Sequence, residues 1–169
     1  MARAFPSTLA HSAGTVGRTW RAVDSVQAMK ALSPRLAAIV EALPVRPGMR
    51  VIEVGGAPGA ASRALVQRMG HGHVLIIDRS ARGIALTQRN LAAEIEAGLV
   101  SLRHVAAEDF VLDRDERPYD LAFAVRVGAF DGRHPRAGER ATARIAAALV
   151  PGGRLLIDGG SPLREVHGC

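Results

Sequence analysis

Two carboxylates and a glycine turn are spaced in this chain as a ligand site would need them. Glu53 lies near the end of the apolar run Val51-Ile52-Glu53-Val54, and Gly55-Gly56-Ala57-Pro58-Gly59 follows at once. Glycine lets a backbone approach a ligand closely, and the free N–H groups of a helix N-terminus face acceptors. Asp78 stands nineteen residues after Gly59, at the end of a second apolar run, His73 to Ile77. An acid there, on the neighbouring strand, reaches the ribose hydroxyls of an adenosine ligand. A dinucleotide turn G-x-G-x-x-G would need glycine where this chain has Ala57. A phosphate loop would need Gly-Lys-Ser/Thr, and nothing fits. Neither cradle gains from an acid at Glu53. A ligand with a cationic amino group does.

These residues need strands and helices to hold them. Val51 to Val54 is β-branched and reads as a buried strand. Ala60 to Met69 is a good helix former, closed by Gly70. Ahead of the strand, Ser33-Pro34 is a helix start, and Leu36, Ile39, Val40 and Leu43 follow at i, i+3, i+4, i+7. Pro44 stops that helix. After Asp78, Ser80 is the better N-cap for a helix from Ala81, although Asp78 could serve as the cap instead. That helix carries Ile84, Leu91 and Ile95 on one face and closes at Gly98. Leu99 to Val105 reads as a third strand and Tyr119 onward as a fourth. Ala137 to Val150 reads as a helix, and Arg154 to Asp158 as a fifth strand. Residues 1–18 lack periodicity and read as a mobile arm before a single domain, 19–169. Trp20 to Met29 reads as a short helix.

From about Ser33 to Asp158 the chain resembles the class I S-adenosylmethionine-dependent methyltransferases. Glu53-Val54-Gly55-Gly56-Ala57-Pro58-Gly59 is similar to their acid-x-Gly-x-Gly-x-Gly motif, departing at Ala57. Tyr119-Asp120 opens the fourth strand as it does in that family, and Leu149-Val150-Pro151-Gly152-Gly153-Arg154-Leu155 resembles the text before its fifth. The resemblance implies S-adenosyl-L-methionine as cofactor, with contacts from Glu53, Gly55, Gly56, Ala57, Pro58, Gly59, Asp78, Arg79, Ala107, Glu108, Asp109 and Val125. Glu53 would face the amino end of the methionine moiety and Asp78 the ribose. The adenine is held in the family by the loop after the third strand, where Glu108 and Asp109 could equally be solvated acids at a helix start. The reactive methyl group would sit past the fourth strand, bordered by Arg126 and Gly128 as substrate contacts. Arg126 interrupts an apolar run, where a charge is costly unless paired. A pair with Glu53 or Asp120 is as open to it as a substrate contact. No residue is marked as a catalytic base; His104 and His134 are the candidates.

The alternation of strand and helix predicts an α/β domain, a Rossmann-like three-layer sandwich on a mainly parallel sheet. Five strands are expected in the order 3-2-1-4-5. Only residues 159–169 follow the fifth, and they include Pro162, so the family's last two strands are expected to be absent. That leaves the fifth strand as an apolar open edge, which invites a homodimer or a complex with another protein.

Composition bounds the partners. The 169 residues are 48% hydrophobic, with mean hydropathy +0.11, and suit one globular domain. No apolar run reaches a membrane span, and Met1 to Pro6 lacks the apolar core of a signal peptide, so a cytoplasmic protein is expected. Cys169 is the only cysteine, which predicts neither disulfides nor a cysteine metal site. The net charge is +6, almost all of it scattered arginine, since Lys30 is the only lysine. Aromatic residues make up 4%, too few for a stacking platform, so a small-molecule acceptor is favoured over nucleic acid. Two other functions stay open: a cofactor-binding domain without transfer activity, and an NAD-dependent oxidoreductase that the glycine spacing disfavours.

Overall fold

The structure, a computed structural model, describes residues 32–166. The arm expected over 1–18 and the helix expected over Trp20 to Met29 lie outside the described residues. Helix α1 spans Pro34–Ala42, with the Ser33 side chain capping it and Pro34 in its first turn. It turns through Pro44 and Pro47 into strand β1, Arg50–Val54. Then come α2 (Ala60–Met69), β2 (His73–Asp78), α3 (Ala81–Asn90), α4 (Ala92–Glu96) and β3 (Val100–His104). A short 3₁₀ turn, Ala107–Asp109, leads to β4 (Tyr119–Ala124). A second, Gly128–Phe130, leads to α5 (Pro135–Ala146), β5 (Leu149–Asp158) and β6 (Leu163–Glu165). The sheet order is β3-β2-β1-β4-β5-β6, parallel throughout except for β6. This is the expected Rossmann-like α/β architecture with one short strand added. Among the described residues no helix is long and apolar enough to cross a membrane.

Successive side chains of a strand point to opposite faces, and here both faces are covered. Val51, Val74, Ile76, Leu121, Phe123 and Leu156 pack on one side with Val40, Leu43, Ala64 and Leu65 from α1 and α2. Ile52, Val54, Leu75, Ile77, Ala122 and Ile157 pack on the other with Phe110 and the Ala141 and Ile145 of α5. Burial on both faces explains why the parallel strands read as continuous apolar runs rather than alternating ones. Glu53 shares the parity of Val51, so it points toward α2.

Three boundaries differ from the sequence reading. The helix expected to run unbroken to Gly98 divides at Leu91, which is fully buried with φ −106 and ψ 24. The Arg63 side chain donates to the carbonyl of Asn90 there, taking an acceptor from the helix end. The helix expected over Ala137 to Val150 starts two residues earlier and ends at Ala146. Strand β5 begins at Leu149 rather than Arg154, because Tyr119 pairs with Leu149 across a register shift.

The largest difference is at the sheet edge. The fifth strand was expected to be open, but the chain turns back after Asp158 and β6 pairs antiparallel with it. Leu156 faces Glu165, Ile157 faces Arg164, and Asp158 faces Leu163. The backbone groups of residues 156–158 that a dimer through that edge would use are therefore paired with β6 within the chain. The edge passes to a three-residue strand carrying Arg164 and Glu165, with Glu165 paired to Arg154 at 2.8 Å. Short, charged edges resist further pairing. Gly160 makes the turn so tight that an added Cβ would overlap the Leu163 carbonyl, which is backbone and cannot swing away. Gly160→Ala should therefore loosen the hairpin and cost about 1–3 kcal/mol. The check is the amide of Val166, which donates to the Leu155 carbonyl at 2.9 Å. Faster exchange at Val166 is expected in the variant; wild-type protection there would show that the turn adapts.

Candidate active site

The carboxyl ends of β1 and β4 lie side by side in this sheet, at the point where the chain reverses its direction of winding. In open α/β sheets that is where ligands bind. Two clefts open there, one on each face of the sheet. The larger, about 600 Å³, is lined by Val54, Gly55, Ile77, Asp78, Arg79, Val105, Ala107 and Glu108, and closed by residues 126–129 and the start of α5. The smaller, about 360 Å³, lies between α1 and the glycine turn and includes Glu53, Gly56, Ala57, Pro58 and Val125. Gly55 and Arg126 line both. The clefts therefore adjoin at Gly55 and Arg126, and the space a Gly55 side chain would need is filled by the Val127 methyl, 2.7 Å from where its Cβ would lie. Gly55 has φ +68, a conformation glycine adopts without strain.

The two acids sit at opposite ends. Asp78 is half-buried at the end of β2, and its Oδ1 accepts the Ser80 N–H at 2.8 Å. Ser80 in turn caps α3 by accepting the Gly83 N–H at 3.0 Å. Ser80, not Asp78, is thus the cap, and the other Asp78 oxygen, Oδ2, has no hydrogen-bond partner among the described residues. Glu53 is 6% exposed. The Ser62 hydroxyl donates to its Oε2. Burial pushes the Glu53 carboxyl up to about 7; the Ser62 hydrogen bond opposes this, and the charge of Asp78 adds to it. No ion pair reaches Glu53 among the described residues. A buried carboxylate on a cleft wall, without a counterion, is a place a cationic ligand group would complete.

Of the residues singled out in the sequence, Glu53, Gly55, Gly56, Ala57, Pro58, Asp78, Arg79, Ala107, Glu108, Val125, Arg126 and Gly128 all line one cleft or both. Gly59 and Asp109 do not. Gly59 is the left-handed N-cap of α2, and a Cβ on it would meet Leu91 at 2.7 Å. Its glycine serves helix packing. Asp109 points outward and pairs with Arg140 at 2.7 Å. Arg126 is paired neither with Glu53 nor with Asp120, whose carboxylate accepts the Arg50 N–H at 2.7 Å. Instead the backbone N–H of Arg126 donates to Asp158 at 3.0 Å. His134 lines the larger cleft; His104 lies outside it, against the Arg79 carbonyl at 3.0 Å. Sequence reading missed Val54, Ile77, Val105, Val127 and Ala129. Their only signal was position, at the end of a strand or just after one.

The sequence profile described as "Methyltransferase domain" matches residues 51–153, which hold both acids and the glycine turn. The chain belongs to the class I S-adenosylmethionine-dependent methyltransferase superfamily. Over 120 residues it is 28% identical to a ubiquinone/menaquinone biosynthesis C-methyltransferase of Ruegeria sp., covering 71% of this chain and 46% of that protein. It is similar to a methyltransferase structure from Thiobacillus denitrificans in complex with S-adenosyl-L-homocysteine, with TM-score 0.58 and 26% identity. The match covers 75% of this chain and 48% of that one. A Geobacter sulfurreducens methyltransferase, also in complex with S-adenosyl-L-homocysteine, shares the fold with TM-score 0.57, 24% identity and the same coverage of each chain. The chain thus spans about half the length of these relatives.

Proposed function

We propose that this protein is an S-adenosylmethionine-dependent methyltransferase acting on a small-molecule acceptor. The observation that carries the reading is a pair of acids on two adjoining clefts that share Gly55 and Arg126, Asp78 on one and Glu53 on the other. Asp78 would accept the ribose hydroxyls, and the apolar walls Val54, Ile77, Val105 and Ala107 would hold the adenine. Glu53 would take the ammonium of the methionine moiety. When bound, S-adenosylmethionine supplies an electrophilic methyl on a sulfonium, which the acceptor atom displaces in line. The protein's share is position and orientation. The backbone around Gly55 would sit against the ligand where the two clefts adjoin, and residues 125–128 would border the acceptor.

The test is calorimetry with S-adenosylhomocysteine and NAD, followed by transfer of labelled methyl from S-adenosylmethionine to a cell extract. Binding of the first but not of NAD is expected, with label in the small-molecule fraction. Label only in protein or nucleic acid would overturn the acceptor class; binding with no transfer at all would leave a cofactor-binding domain.

Glu53 makes the reading dependent on pH. Its folded value of about 7 lies above the ordinary 4.5, so the fold prefers the neutral acid. Its contribution to stability is full below about pH 4.5 and lost as pH rises through about 7. A ligand ammonium favours the opposite, charged form. S-adenosylhomocysteine should therefore bind about tenfold more tightly at pH 7.5 than at pH 5.5, releasing a proton at the lower pH. Glu53→Gln should bind weakly with a flat profile and be more stable than wild type at pH 8, by up to about 3 kcal/mol. An unchanged pH profile in the Gln variant would remove Glu53 from the site.

A further inference from the structure

A third cavity, about 580 Å³, opens beside the two clefts and shares Arg126 with both. Its walls are Ala124, Val127 and Phe130 on the apolar side, with Arg126, Arg133, Arg164, Asp131 and Asp158 supplying charge. Most of this charge is internally paired. Asp131 is bound by Arg133 through a side-chain hydrogen bond of 2.6 Å. Asp158 is taken by Arg35 at 2.7 Å and by the Arg126 backbone N–H. Two guanidinium groups remain, Arg126 and Arg164, and neither has a side-chain hydrogen bond or ion pair among the described residues.

Both are exposed, and both are brought to the cavity by backbone features. Arg126 has φ 57, the one non-glycine residue with positive φ among the described residues. That conformation costs an L-residue energy, and here the Asp158 carboxylate holds it. Arg164 reaches the cavity because the tight turn at Gly159 and Gly160 folds β6 back on β5. The two arginines come from segments 38 residues apart and meet at one cavity.

We propose that this cavity is the acceptor pocket and that the acceptor is an acid: a small molecule with an apolar body and a carboxylate or phosphate group. This rests on reading the adjoining clefts as the methyl-donor site. A guanidinium fork matches planar and tetrahedral oxyanions with paired N–H donors, and the Phe130 wall takes the apolar body. The volume suits a small ligand. The short hairpin thus supplies substrate-side chemistry in a chain that was expected to lack the strands for it.

The experiment titrates benzoate, phenyl phosphate, benzamide and benzylamine into the full chain at low salt, with and without S-adenosylhomocysteine. Binding is read by NMR shifts. The two acids should bind, and the neutral and cationic analogues should not. Tighter benzoate assigns a carboxylate, tighter phenyl phosphate a phosphate. Arg164→Gln and Arg126→Asn should each weaken the favoured acid about tenfold, with partial recovery in Arg164→Lys. Arg144→Gln, which removes a charge on exposed α5, should have no effect. S-adenosylhomocysteine affinity should be unchanged in Arg164→Gln. The proposal falls if benzamide binds as well as the acids, if neither acid binds by about 10 mM, or if Arg144→Gln matters as much as Arg164→Gln. It also falls if neither cavity arginine matters. Should S-adenosylhomocysteine fail to bind while the acids behave as described, the donor-site reading fails and the acidic-ligand pocket stands.

Discussion

Gly55→Val is expected to abolish S-adenosylhomocysteine binding, a loss of at least about 100-fold, or roughly 3 kcal/mol. Two effects combine. Gly55 has φ +68, which a β-branched residue tolerates poorly, and the strain is on the order of 1–3 kcal/mol. A Cβ would also lie 2.7 Å from the Cγ2 of Val127, and Val127 lines the same cleft. Either the new side chain or Val127 must then shift, and both line the larger cleft. Gly55→Ala meets the same Val127 methyl with less bulk, so an intermediate loss is expected. The amide of Gly55 donates to the Ile77 carbonyl at 2.8 Å, so some loss of melting temperature accompanies the substitution. Calorimetry on folded variants, checked by circular dichroism, is the measurement. Affinity in Gly55→Val within about threefold of wild type would place any ligand elsewhere.

Asp78→Ala should weaken S-adenosylhomocysteine by roughly 1.5–3 kcal/mol, the scale of hydrogen bonds to a charged group. The substitution also removes the acceptor for the Ser80 N–H. Helix α3 keeps its start, because the cap is the Ser80 hydroxyl on Gly83. Asp78→Asn separates the two roles. Asparagine can still accept from Ser80 through one oxygen, but its second position becomes a donor. A role confined to the turn would be restored fully by asparagine. A ribose contact would not, and about tenfold weaker binding should persist. Full recovery in Asp78→Asn, or unchanged affinity in a folded Asp78→Ala, would remove Asp78 from the ligand.

The local order of this protein was legible in the chain because its signals are local. Strand–glycine turn–helix at Val51 to Met69, the Ser33-Pro34 start and the strand ending in Asp78 each depend on neighbours a few residues away. Alternating strands and helices with right-handed crossovers then leave few topologies, and the family resemblance selected the order 3-2-1-4-5 among them. The homologous motif added the placement of Glu53, Asp78 and the loop after β4 around one site. Contacts between distant segments decided the rest. Gly59 and Asp109, expected as cofactor contacts, line neither cleft in the structure, and Leu91 and Arg140, about 31 or 32 positions away, pack against the one and pair with the other. Leu91 divides a helix whose periodicity ran on, at a point where Arg63, from a distant element, binds the Asn90 carbonyl. The state of Glu53 depends on its burial beside Ser62 inside the sheet–helix layer, with no ion pair to it among the described residues. The hairpin of β6 was invisible because three residues carry no period. It forms by pairing with a strand already in place, and through it Arg164 arrives beside Arg126. Spacing along a chain reports which residues share an element. Which charges are left unpaired, and which cavity they face, is set only when the elements pack.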